Sequence, residues 1–335
     1  MSAAPTSTPL DLLVIADPVE KLNAAHDTSV AMIESAQARG HRVHVTTMGD
    51  LGAADGHAVA RCRSLTVRPA VLRDGRWHAE PDWYHLGPPE RWALDQFDAI
   101  FVRTDPPVDE NYLRATYLLD LVDQERTMLV NAPAGLRNAN EHLYALRFPE
   151  IGPDTVVTSD IAEIVGATQK WGKAVLKPTE GMAGRGIMML RPDDPNLRSI
   201  AETATVRGRD QVVIQKYIPE ADQGDRRVIV LDGVPLGVVR RVASAGEFRC
   251  NMATGAAVVE DTVTARDKEI CSRIAGRLAA DGLIFVGIDV IGDRLTEINV
   301  TSPTGVREID AFAGTRLSDA LICWVERHHP VHARR

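Results

Sequence analysis

The sequence predicts an α/β amino-terminal region followed by an α+β region, and three observations lead there. Short apolar runs alternate with helical periodicity as far as about residue 131. Hairpin signals replace that alternation beyond Val156, and 335 residues exceed what one hydrophobic core supports, so two or three units are expected. At 44% hydrophobic and 25% charged residues, wholesale disorder, collagen-like repeats and coiled coil are excluded. No apolar run approaches the roughly 20 residues that span a bilayer, and Met1 to Thr8 lacks a basic stretch followed by an apolar one; a cytoplasmic protein is expected. A net charge of -8 argues against nucleic acid or anionic membrane as a partner, so an anionic ligand requires a local basic pocket. Cys62, Cys250, Cys271 and Cys323 are too scattered for a zinc knuckle or a disulfide framework.

Leu12 to Ala16 reads as a strand, Thr28 to Arg39 as a helix and Arg42 to Thr47 as a second strand. Asp27 is the expected N-cap, because its carboxylate can accept from a first-turn N–H, and Gly40 is the expected stop. The stretch from Pro69 to Arg91 has no clear period. Phe97 to Arg103 then reads as a buried strand, Glu110 to about Asp123 as a helix and Thr127 to Asn131 as a strand, completing an open α/β unit. Further on, strands are expected at Ala174 to Pro178, near Ile187 and at Val212 to Ile218, with a helix around Leu197 to Val206. The pair Asp232-Gly233 marks a hairpin between Arg227 to Leu231 and Gly237 to Val242. A long helix at Ala265 to Ala280, a hairpin from Ile284 to Val300 and a helix around Ser318 to His328 finish the chain.

Three segments carry chemistry. A turn centred on Asp293 puts Asp289 directly across from Glu297, and Asn299 on the same face, because strand side chains repeat every two residues. Two opposed carboxylates repel unless a cation lies between them, and an all-oxygen set suits Mg²⁺; the alternative is a solvated hairpin face. In the second segment a strand ends in Lys177 and enters a loop with Gly181, Gly184 and Gly186. Such glycines let backbone N–H groups approach phosphate, although an ordinary glycine hairpin would look the same. The third is Asp225-Arg226-Arg227 with Arg240, Arg241 and Arg249. Asp225 shares a strand face with Arg227 and could orient it, while Arg226 and Arg240 read as a salt-bridged sheet surface.

The segment VGIDVIGDRLTEINVTSPTGVRE from Val286 to Glu308, with Leu176 to Gly186, Asp225 to Val230, Ala16-Asp17-Pro18 and Met48-Gly49-Asp50-Leu51, resembles bacterial glutathione synthetase, an ATP-grasp carboxylate–amine ligase. The resemblance runs from about Leu12 to about Trp324. It implies an ATP-grasp fold in three parts: a substrate domain over residues 1–135, a central lid-like subdomain over 136–220 and a carboxy-terminal domain over 221–335. It also implies ATP with Mg²⁺ or Mn²⁺, a small carboxylate donor, an amino-acid acceptor, an acyl phosphate intermediate and a homodimer or homotetramer.

Carried over position by position, Lys177 contacts the ATP phosphates. The loop Gly181, Met182, Ala183, Gly184, Arg185 and Gly186 covers them, with Asp225 nearby, and Gln215, Lys216, Tyr217 and Ile218 line the adenine pocket. Asp289, Glu297 and Asn299 hold the metal. Arg227, Arg241, Arg307 and Asn251 neutralise phosphate or the acyl-phosphate oxyanion. Asp27, Thr28, Ser29 and Arg103, together with Arg249, Cys250, Ser302, Thr304 and Gly305, lie near the acyl or amine substrate.

The departures cluster by site. His142 stands where the family has a second phosphate-binding lysine, and an imidazole replaces that charge only when protonated; packing is the alternative. Glu180 and Ala183 replace Asp and Gly in the loop. Thr104 replaces a lysine after Arg103, Cys250 a glycine, and Gly305 a cysteine. These changes place the stronger match on the ATP half. They leave open a sibling ligase with other substrates, such as glutamate or a γ-glutamyl acceptor joined to an unusual amino acid, or a non-catalytic ATP-binding protein.

Overall fold

The computed structural model describes residues 8–181 and 184–330, so Met182 and Ala183 of the glycine loop lie outside the described residues. The first sheet contains β1 (Asp11–Ile15), β2 (Arg42–Thr46), β3 (Leu51–Ala54) and β4 (His57–Val67). A small separate hairpin follows, β5 (Val71–Arg73) with β6 (Arg76–His78), before β7 (Tyr84–Ala93), β8 (Ala99–Val102) and β9 (Met128–Val130) complete the sheet. Its order is β3-β4-β2-β1-β8-β9, with β7 also on β4; the β2-β1-β8-β9 core is parallel. Helix Thr28–Ala38 starts as expected, with the Asp27 carboxylate accepting from Ser29 N at 2.6 Å and Val30 N at 3.2 Å.

The antiparallel annex is a correction to the sequence reading. The stretch from Pro69 to Arg91 is largely strand, holding β5, β6 and most of β7, and β3 and β4 precede it. The apolar alternation is faint because no residue of β7 is fully buried, and because β4 buries the small residues Ala58, Ala60 and Cys62.

The second sheet is antiparallel, in the order β10-β13-β11-β12, and is built from β10 (Thr155–Thr158), β11 (Ala174–Pro178), β12 (Met188–Leu190) and β13 (Val212–Lys216). Helices Ile161–Trp171 and Leu197–Ala204 complete a core of its own around Ile164, Leu176, Leu190 and Ile214. The third sheet, ordered β16-β15-β14-β17-β18, uses β14 (Asp225–Leu231), β15 (Val234–Val242), β16 (Ala257–Glu260), β17 (Phe285–Ile291) and β18 (Arg294–Asn299).

The first and third sheets share their hydrophobic cores. One cluster joins Leu13, Ile100 and Leu136 to Val228, Val286 and Ile298, and another joins Leu12, Val30 and Phe101 to Ile229, Val306 and Leu321. Asn131, just past β9, fastens the two sheets. Its Nδ2 donates to the carbonyls of Phe285 and Val300, each at 2.8 Å, and its Oδ1 accepts from Ile284 N at 2.7 Å and Phe285 N at 2.8 Å. All the hydrogen-bonding capacity of a buried amide is thereby used. Among the described residues no helix is long and apolar enough to cross a membrane.

Candidate active site

The β17–β18 hairpin aligns Asp289 with Glu297 by a different route from the one expected. The turn has two residues, Gly292 and Asp293, with Ile291 opposite Arg294, and an irregularity between Asp289 and Val290 shifts the register. Thr296 is the extra residue; its hydroxyl donates to the Asp289 carbonyl at 3.1 Å. Asn299, opposite Gly287, stays on the face of Glu297.

Charge compensation for Asp289 comes from within the chain, which removes repulsion as the argument for a cation. Arg227 lies opposite Asp289 on β14 and grips it with two bonds, Nε to Oδ1 at 2.5 Å and Nη2 to Oδ2 at 2.9 Å. Arg241 Nη2 reaches the same carboxylate at 2.9 Å. Arg241 is also paired with Asp225 at 2.7 and 2.5 Å, so Asp225 orients Arg241 rather than Arg227. Burial alone would push the Asp289 carboxyl up, but the two guanidinium groups outweigh it and hold it well below the carboxylate range. Burial likewise opposes the Arg241 charge, and Asp289 and Asp225 more than offset it, so its pKa is raised. Arg226 is buried rather than a surface residue, with bonds to Asp261 at 3.0 Å and Asp267 at 2.9 Å; Arg240 pairs with Asp261 at 2.9 Å.

Two cavities flank this cluster. The smaller, about 100 Å³, lies between the second and third sheets. Lys177 at the end of β11, Gly184, Gln215, Lys216, Tyr217 and Ile218 at the end of β13, and Asp225 all line it. His142, in the short helix Glu141–Tyr144 capped by Asn140, lines it too. Its Nδ1 lies 2.7 Å from the Pro178 carbonyl and so carries the donated proton, while Nε2 faces Glu297 Oε1 at 3.5 Å.

Of the described residues of the glycine loop, Gly184 lines this cavity. Gly184 has φ +75°, and a Cβ there would lie 2.5 Å from Asn251 Oδ1, so both conformation and space require glycine. Gly181 is half-buried, whereas Arg185 and Gly186 are exposed. Arg249 and Cys250 also line this cavity and not the larger one, correcting their expected place beside the substrates. Arg249 is held by Glu247 at 3.0 and 2.5 Å and donates to the Gly184 carbonyl at 3.0 Å. Burial raises the Cys250 thiol pKa, consistent with a wall residue rather than a nucleophile.

The larger cavity, about 920 Å³, opens between the first and third sheets. Asp27, Arg227, Arg241, Ser302, Thr304, Asn299 and Arg307 line it, and Glu297 and Asn251 border both cavities. Three expected substrate residues sit behind its wall. Thr28 and Ser29 are buried in the first helical turn, and Arg103, 4% exposed, is spent on Ser29 Oγ at 3.1 Å and the Pro303 carbonyl at 3.0 Å. Burial lowers the Arg103 pKa, against the pull of Asp27 and Asp105. Gly305 also stands back from the cavity. Its φ of +120°, and a Cβ position 3.3 Å from Arg227 Cγ, account for glycine there.

Among the wall residues that sequence reasoning missed, two are set apart by their contacts. Glu141 also lines the cavity; its carboxylate accepts from Val300 N at 2.9 Å, Thr301 N at 3.0 Å and Thr301 Oγ1 at 2.8 Å, and burial followed by nearby Glu297 raises its pKa. Its signal was its place beside the Asn140 cap. Trp77 on β6 is the other, and the hairpin pair Asp74-Gly75 was its signal.

Residues 141–314 match the model of the prokaryotic glutathione synthetase ATP-grasp domain, and residues 10–137 match that family's amino-terminal domain. The chain belongs to the prokaryotic glutathione synthetase family. It is 47% identical over 318 residues to the glutathione synthetase of Synechocystis sp., covering 95% of this chain and 99% of that one. The enzyme of the same name from Nostoc sp. is 49% identical over 319 residues, covering 95% and 98%, and that of Salmonella typhimurium 41% over 318 residues with the same coverage. Among solved structures, the D-cycloserine synthetase DcsG aligns with a TM-score of 0.61 at 15% identity, covering 94% of this chain and 99% of that one. The ATP-grasp ligase PsnB with a minimal precursor aligns at 0.60 and 18% identity, covering 95% and 98%. At those identities the structural likeness shows the ATP-grasp fold. This family member is an ATP-dependent carboxylate–amine ligase acting on small molecules.

Proposed function

We propose that the ligase joins γ-glutamylcysteine to glycine, with the nucleotide in the smaller cavity and the acyl donor and amine in the larger. The observation that carries this reading is the shared border: Glu297 and Asn251 line both cavities, with the Asp225, Arg241, Asp289 and Arg227 network beneath. A phosphoryl group crossing that border meets the donor carboxylate, and the resulting acyl phosphate is open to amine attack from the larger side. No protein nucleophile is required. Lys177 binds nucleotide phosphate, Gln215 to Ile218 surround the base, and Arg227, Arg241 and Asn251 neutralise and align the reacting oxygens.

The donor set fits a hard divalent ion. Among the described residues the Glu297 carboxylate is engaged only by His142 at 3.5 Å, and the Asn299 amide donates to the Gly287 carbonyl at 3.4 Å, leaving its oxygen for a cation. Asp289 commits three contacts to arginine, fewer than the roughly four lone-pair sites of a carboxylate, and can contribute the remainder. Mg²⁺ or Mn²⁺ held by these oxygens would neutralise phosphate charge. Among the described residues no three His, Cys, Asp or Glu side chains gather as a metal site, so Asn299 is integral to the set.

Two of the three substitutions that suggested a sibling ligase lose force where they sit. Cys250 is on the nucleotide side, and Gly305 answers a backbone requirement. A cytoplasmic homo-oligomer completes the reading. The test is ADP release with Mg²⁺ and ATP over a matrix of carboxylate donors and amino acids, with product masses recorded. Fastest turnover with γ-glutamylcysteine and glycine is expected; a faster pair would replace this assignment, and turnover with no pair would make the chain a nucleotide-binding protein only.

A further inference from the structure

We infer that the β5–β6 hairpin is a donor-specificity element of the larger cavity. In it Trp77 is a positioning residue that sets Arg307 to receive the carboxylate of the donor remote from the reacting one. The proposal rests on the ligase reading above and deepens it. The hairpin is a two-stranded sheet apart from the three main ones, turned at Asp74-Gly75. Gly75, Arg76, Trp77 and His78 line the cavity, so the element forms part of the wall facing substrate.

Its attachment is specific. Trp77 Nε1 donates to the Arg307 carbonyl at 2.7 Å, and the Arg307 guanidinium carbon lies 4.7 Å from the indole centroid, within cation–π range. Glu34 Oε1 accepts from Arg307 Nη2 at 2.6 Å and from Ala70 N at 2.9 Å, tying the arginine to the base of the same hairpin. The Ala24 carbonyl takes a further bond from Nη2 at 3.0 Å.

One face of Arg307 is therefore fixed while the rest is left over. Arg307 is 3% exposed and borders the cavity, yet among the described residues its buried Nε has no hydrogen-bond partner. Glu34 balances the charge of Arg307, and the N–H left over in a buried guanidinium is completed by a further acceptor such as a carboxylate oxygen. Arg76, exposed on the wall of the same cavity, makes no ion pair among the described residues and adds a second cation. The other cavity arginines, Arg227 and Arg241, grip Asp289 and Asp225 with two bonds each, whereas Arg307 meets Glu34 through Nη2 alone. Arg307 and Arg76 thus form the part of the wall best matched to a carboxylate far from the phosphoryl-transfer border.

The experiment compares full-length wild type, Trp77→Ala and Trp77→Phe by calorimetric titration with γ-glutamylcysteine, glutamate and glycine. Each titration is made with Mg²⁺ and a non-hydrolysable ATP analogue present, and KM and kcat are measured alongside. Trp77→Ala is expected to weaken γ-glutamylcysteine about tenfold, on the order of one lost charge-assisted contact. Trp77→Phe should recover most of that loss by restoring a ring over Arg307, with the effect in KM rather than kcat and nucleotide affinity held within twofold. Unchanged donor affinity in Trp77→Ala, or equal losses for donor and nucleotide, would overturn the proposal. If wild type prefers another anionic ligand and Trp77→Ala weakens that one selectively, γ-glutamylcysteine is wrong as substrate and the hairpin's role stands. If wild type binds none of the three probes, both readings fall.

Discussion

The two cavities differ in how their walls are made. The smaller is walled mainly by strand ends of two sheets, and its Asp225 and Asp289 are locked by paired bonds to Arg241 and Arg227, which face the larger. Beyond those arginines, Glu297 and Asn299, the larger is walled by the loop that ends in the helix cap Asp27, the Thr301 to Thr304 loop, a detached hairpin and the helix Val306–Ala313. Strand ends fix side chains through backbone register, whereas loops and hairpins leave them adjustable. A nucleotide common to many reactions suits the first construction, and a variable substrate suits the second.

The largest expected effect tests whether the rigid side depends on its ion network. Asp289→Ala leaves Arg227 and Arg241 buried without their shared carboxylate, and should cost roughly 3–5 kcal/mol in denaturant unfolding. A loss below about 1 kcal/mol would place the rigidity elsewhere. Next, Lys177→Ala and Glu297→Gln should each depress turnover at least about 10²-fold, the scale of lost preorganised charge stabilisation. A near-normal rate in Glu297→Gln would dissolve the border between the cavities as the site of transfer. His142→Lys should tighten nucleotide binding by roughly two- to fivefold, as a half-screened ion pair does; unchanged affinity would make His142 a packing residue against Pro178.

The smallest effect concerns the helix behind the substrate wall. Asp310 accepts from Thr315 Oγ1 at 3.0 Å and Leu317 N at 2.8 Å, yet burial raises its carboxyl pKa from 3.8 to about 6. The folded chain then binds more protons than the unfolded one between those values. Its stabilising contribution is full below pH 3.8, declines as pH rises to about 6 and is flat beyond. Asp310→Asn should remove that slope from melting temperatures measured across the window, and an unaltered slope would assign it to another group.

The same contrast decided what could be read from the chain. β11 from Ala174 to Pro178 and the helix from Ala265 to Ala280 were legible because period is local, and the Asp289–Glu297 pairing was reached because a two-residue turn plus one bulge residue gives the same offset as a turn centred on Asp293. The Asp225–Arg241 and Arg227–Asp289 partnerships were not, since they depend on which strand lies beside β14. Asp55-Gly56 and Asp74-Gly75 take positive φ at both residues, as Asp232-Gly233 does, so the amino-terminal hairpins carried the same turn signal. Their flanking strands hid it, being exposed or filled with small residues. Arg103 and Arg249 were legible as arginines near a site, but their partners Ser29, Pro303 and Glu247 decide which way they face.

The shared core of the first and third sheets also bears on how such a ligase can diversify. Family matching divides the chain near residue 140, yet apolar packing and Asn131 cross that division, while the second sheet alone owns its interior. Exchanging the amino-terminal portion for that of a distant relative would therefore graft half an interior onto a mismatched half. New substrate preferences are more cheaply acquired by altering peripheral pieces such as the β5–β6 hairpin, which can change length and composition without disturbing either shared core.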